Sequence, residues 1–122
     1  MWLVHAAMSG FIAVAAGAFA AHGLKGRITE EHLQVFETAA RYQMYHALAL
    51  LAVAWLSRTA PGPAVSMAGW AFVIGTILFS GSLYALALTG VKWLGAITPF
   101  GGMAFLIGWA ALAWAGFKSA AG

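Results

Sequence analysis

Apolar residues fill four long stretches of this chain, and polar residues gather between them. The stretches are roughly Trp2–His22, Glu37–Leu56, Met67–Leu88 and Pro99–Phe117. Each is close to the ~20 residues that cross a hydrocarbon core ~30 Å thick. The pattern predicts an all-α, polytopic integral membrane protein. The expected architecture is an up-and-down four-helix transmembrane bundle, a single domain over 1–122 with helices near 2–22, 30–57, 67–88 and 98–118.

Punctuation along the chain sets the expected ends. His22-Gly23 reads as the stop of the first helix, with glycine just past the last turn. Ala13, Gly17 and Ala21 form a small-residue stripe that would let helices approach closely in lipid. Ala18-Phe19-Ala20 has the form of a signal-peptide cleavage site. No Lys or Arg precedes the run, however, and the run is long for such a signal, so the helix reads as retained. Thr29 followed by Glu30 and Glu31 reads as a capped N-terminus, a hydroxyl and then acids in the first turn. A helix from there to Leu56 is about 40 Å long, more than the membrane core, so its first turns belong at the interface.

Pro61-Gly62-Pro63 marks the next loop and Thr89-Gly90 the end of the third helix. Thr98-Pro99 admits two readings. Either Thr98 caps a helix whose first turn holds the proline and Trp93–Ile97 is an interfacial link, or the helix starts near Trp93 and kinks at Pro99. The first is preferred. Trp2, Trp55, Trp70 and Trp114 then fall on one membrane face and Trp93 on the other, the belt pattern of a spanning bundle.

Composition agrees with this pattern. Of 122 residues, 63% are hydrophobic and 7% charged, too few charges to coat a soluble domain, where about a quarter is usual. With no cysteine, disulfides, thiolate metal sites and cysteine nucleophiles are excluded. The net charge of +3 could suggest nucleic acid, but the six basic residues are scattered rather than clustered, and no nucleic-acid partner is expected. They read better as topology signals and contacts to membrane lipids. Lys25, Arg27 and Lys92, with Arg41 just inside, outnumber Arg58 and Lys118 on the other face. This places the first group in the cytoplasm and both termini outside.

The candidate chemistry lies on the second helix. Glu37, Arg41, Tyr42, Tyr45 and His46 share one half of it by three- and four-residue spacing, while Gln43 falls outside that half. His22, and Ser80 and Tyr84 on the third helix, come to the same leaflet in an up-and-down bundle. One reading is a ligand-binding pocket, with Arg41 for an anionic group and Glu37 and the histidines for proton exchange. The other is a structural lock in which Glu37 pairs with Arg41, the tyrosines anchor at the interface and His46 bonds a neighbouring helix. A charge at mid-membrane costs only ~3 kcal/mol on insertion scales, and less near the boundary, so the lock is affordable and is preferred. No two histidines are spaced as a metal pair, and no hydrolase motif occurs. No metal, cofactor or enzymatic activity is therefore expected.

Four segments carry a family resemblance. They are Gly17-Ala18-Phe19-Ala20-Ala21-His22-Gly23-Leu24, Phe36-Glu37-Thr38-Ala39 with Arg41-Tyr42-Gln43-Met44-Tyr45-His46-Ala47-Leu48, Phe79-Ser80-Gly81-Ser82-Leu83-Tyr84, and Ile97-Thr98-Pro99-Phe100-Gly101-Gly102. In order and spacing they resemble the small bacterial membrane proteins called domain of unknown function 423, with a eukaryotic branch called transmembrane protein 256. The resemblance implies a bacterial inner-membrane protein of about four helices, and that the polar face of the second helix belongs to the family pattern. It implies no activity. The expected function is a non-enzymatic scaffold or partner-binding membrane protein, a homo-oligomer with a possible membrane-protein partner. The alternative is a small transporter or a protein binding an anionic ligand or lipid.

Overall fold

The computed structural model describes residues 1–121. Helix α1 (Trp2–Leu24) closes in a π turn over Ala20–Leu24. The expected stop at Gly23 is not used, and the chain stays helical through it. Gly26, with φ +83°, makes the turn instead, a left-handed conformation that only glycine adopts at low cost. Helix α2 (Glu30–Thr59) opens with the expected cap, the Thr29 hydroxyl accepting from the His32 N–H at 3.1 Å. Helix α3 (Pro63–Thr89) begins four residues before the expected Met67, because Pro63 sits in its first turn, where a proline costs no hydrogen bond. A π turn over Thr76–Ser80 interrupts α3, and Gly90, at φ +72°, ends it. Lys92–Ala96 forms a 3₁₀ segment, and helix α4 (Thr98–Ala121) follows with Pro99 in its first turn.

The helices run up and down. Helix α2 packs along α1 from Phe36 against Phe19 at one end to Leu56 in a cluster with Trp2 at the other. Its second buried side meets α3, and α4 lies mainly on α3. Close approach of α3 and α4 depends on glycine. A Cβ on Gly108 would sit 2.6 Å from the Phe72 ring, and one on Gly101 would strike the backbone of Phe79. Of the stripe expected on α1, Ala13 is buried, whereas a Cβ added at Gly17 would meet nothing within 4 Å and Ala21 is exposed, so only its first residue packs inside the protomer.

Two apolar clusters fill the interior. One holds Trp2, Leu50, Val53, Leu56, Val65, Phe72 and Phe105. The other, toward the 1–2 turn, holds Ala20, Leu24, Leu33, Phe36 and Ala87. Gln43 and His46 lie on α2 between the residues of these clusters. Helices α1 and α3, and α4 with its 3₁₀ lead-in (Lys92–Ala96), are long and apolar enough to cross a membrane. Helix α2 is long enough at 30 residues, but its run from Glu37 to His46 keeps it out of that set. Three of the four expected spans therefore meet this measure, and α2, with the polar run expected on it, is the exception.

Candidate functional site

The polar residues of α2 divide between the inside and the outside of the bundle. Gln43 is 6% exposed and faces both neighbours. Its side-chain N–H donates to the Ser9 hydroxyl of α1 at 3.3 Å, and its carbonyl accepts from the Tyr84 hydroxyl of α3 at 2.7 Å. One amide thus ties three helices together. His46, 4% exposed, is held as tightly. Its Nε2 accepts from the Trp109 indole N–H at 3.1 Å, which leaves Nδ1 to carry the proton and donate to the Tyr42 carbonyl at 2.7 Å. The ring stacks on Phe105, with centroids 3.5 Å apart and planes 3° from parallel. With both nitrogens engaged, His46 has none free for proton exchange in this arrangement.

Two serines complete the interior set. The Ser80 hydroxyl donates to the Ala39 carbonyl at 2.7 Å, joining α3 to α2. Ser82 donates to the Phe79 carbonyl at 3.0 Å and shares a 2.6 Å bond with Thr98, joining α3 to the start of α4. With one exception the interior therefore satisfies its own side-chain polar groups. Thr76 Oγ1, at the start of the π turn, is the single buried side-chain polar atom without a partner among the described residues. No three His, Asp or Glu side chains among those residues converge as a metal site would need.

The other predicted site residues lie elsewhere. Arg41, Tyr42 and Tyr45 are exposed on the outward side of α2, and Glu37 is half-buried beside them. The Glu37–Arg41 ion pair that the spacing allows is not formed. No carboxylate among the described residues comes within 4.0 Å of the guanidinium of Arg41, which is exposed. His22 stands exposed near the end of α1. His46, Ser80 and Tyr84 are turned inward, each to its own partner, so the eight residues do not meet in one polar pocket. An open groove of about 390 Å³ does lie over His46. It is lined by Tyr42, Tyr45, Phe79, Gly102, Phe105, Leu106 and Trp109.

Sequence reasoning missed Gln43, Ser9 and Trp109. Gln43 does fall outside the polar half of α2, but that other half is the core face. A lone amide among Ala39, Ala40, Ala47 and Leu50 was the available signal. Apolar surroundings make such a group find partners on other helices.

Fold and site together define a polytopic helical membrane protein with a self-satisfied polar interior. Residues 16–102 match the family described as "Protein of unknown function (DUF423)". The chain belongs to that family. It is 49% identical over 120 residues to UPF0382 membrane protein SAB0533 of Staphylococcus aureus, covering 98% of each chain. It is 48% identical over 110 residues to UPF0382 membrane protein YwdK of Bacillus subtilis, covering 89% of each. With UPF0382 membrane protein SERP0230 of Staphylococcus epidermidis the identity is 46% over 120 residues, again 98% of each. No solved structure matches the chain.

Proposed function

We propose that this chain is a non-enzymatic membrane scaffold that acts by binding other protein chains in the bilayer. The observation that carries this reading is how its polar groups are divided. Those inside are used up in holding the helices together through Gln43, His46, Ser80 and Ser82. Those left over, Arg41, Tyr42 and Tyr45, face outward. A transporter needs unpaired polar groups along an interior path, and an enzyme needs a free base or nucleophile. Relatives in bacteria support a bacterial membrane, and the charge asymmetry between connections supports both termini outside the cytoplasm.

A second reading, binding of an anionic lipid, draws on the groove beside Tyr42 and Tyr45. Aromatic walls suit an acyl chain, and Arg41 one turn away suits a phosphate. Native mass spectrometry of protein extracted gently from its own membrane separates the two. The scaffold reading expects protein complexes carrying only exchangeable lipid. A discrete, stoichiometric extra mass that disappears in Arg41→Ala would overturn it in favour of ligand binding.

A further inference from the structure

The outward side of α2 differs from every other outer surface of the bundle. Helices α1, α3 and α4 show lipid-compatible side chains there, such as Phe11, Ile77 and Leu106. Helix α2 shows Arg41 and Tyr45, with Glu37 at the edge. Lipid tails offer these groups no partner, so in a lone protomer they would have to snorkel to the interface or stay unpaired. Their spacing is equally specific. Thr38, Arg41, Tyr45, Leu48, Ala52 and Trp55 follow one another at steps of three, four, three, four and three residues. That is the seam of a left-handed helix pair, and all six are exposed or half-exposed in the protomer.

We infer that this seam is a homodimer interface, with the α2 helices of two copies packed side by side about a two-fold axis along the membrane normal. The inference rests on the scaffold reading and names its first partner. Copies inserted with the same topology can pair α2 only in parallel, which brings equal depths together. Equal depths set Arg41 beside Arg41 of the partner subunit, and the two Glu37 carboxylates offset that like charge. Glu37 and Arg41 lie one turn apart, ~6 Å along the axis. Glu37 of one copy therefore comes within reach of Arg41 of the partner subunit, and symmetry makes the contact twice. The same packing sets Arg41 against Tyr45 of the partner subunit, whose ring face suits a guanidinium. A second copy supplies charge complementarity that lipid tails do not.

The absence of native cysteine makes the test clean. Single cysteines at Thr38, Tyr45, Leu48 and Ala52, and at Phe11 and Ile77 as lipid-facing controls, are oxidised in bilayers of the purified, reconstituted protein. A disulfide needs Cβ atoms ~4 Å apart, so dimer should form at the seam positions and not at the controls. Arg41→Glu should lower the yield at Ala52→Cys at least tenfold, because symmetry removes two charge-assisted contacts. Adding Glu37→Arg in the same chain should restore it. A seam that stays monomeric while another face cross-links would overturn this interface and leave the scaffold reading standing. A monomer carrying one stoichiometric lipid would overturn both.

Discussion

Replacing Gln43 by leucine removes the one side chain that bonds α1, α2 and α3 together. The volumes are similar, so the cavity term is small and the change isolates hydrogen bonding. Two partners are stranded, the Tyr84 hydroxyl at 2.7 Å and the Ser9 hydroxyl at 3.3 Å. The shorter bond dominates. An unsatisfied buried hydroxyl costs ~1–3 kcal/mol, while measured interhelical bonds in membranes average ~0.6 and reach ~1.7 kcal/mol. The expected loss for Gln43→Leu is therefore about 1–2 kcal/mol. Tyr84→Phe strands the Gln43 carbonyl and should cost somewhat less. The double variant leaves neither group stranded, so it should be more stable than the sum of the two predicts, by about 0.6–1.7 kcal/mol. Equilibrium unfolding in mixed dodecylmaltoside–SDS micelles, followed by tryptophan fluorescence, reads all four proteins. A Gln43→Leu protein as stable as the parent, or strictly additive effects, would refute a structural role for the amide.

Gly101→Ala should destabilise by more than 1 kcal/mol, since the added methyl meets the Phe79 backbone and α3 and α4 must separate. Gly116→Ala, with nothing within 4 Å, should be neutral or slightly stabilising in the same unfolding assay. Trp109→Phe keeps an aromatic ring but strands His46 Nε2, and should cost about 0.5–1.7 kcal/mol in that assay. Arg41→Ala should leave the unfolding midpoint of the micelle-dispersed protomer unchanged while weakening self-association, read by energy transfer between labelled copies in bilayers.

Much of the fold was legible because lipid imposes a simple rule on sequence. Long apolar runs must span, and Thr29, the Pro61-Gly62-Pro63 loop and Gly90 mark ends by local chemistry. Gly23 misled because a glycine inside a helix looks the same in sequence as one that ends it, and only Gly26 takes the positive φ. Which of the candidate residues turn inward was not legible in the sequence. Helical spacing puts Arg41, Tyr42, Tyr45 and His46 on one arc of α2, but it does not say which edge of the arc faces the core. His46 lies at the inward edge and bonds across to α4, whereas Arg41 lies at the outward edge. The Gln43–Tyr84 bond spans 41 residues of sequence, and no local rule reaches that far.

The central claim is that the outward face of α2 meets protein rather than lipid, and a nitroxide on Leu48→Cys in reconstituted bilayers tests it most directly. Phe11→Cys is the control, because its neighbour Gly10 packs on Ala47 and so the two labels sit at similar depth. Oxygen concentrates among lipid tails and relaxes a lipid-facing label. Oxygen accessibility at Leu48 should fall several-fold below that at Phe11, and should rise toward it in the Arg41→Glu background. Equal accessibility at the two sites in the parent protein would show that lipid already covers this face, and would contradict the claim.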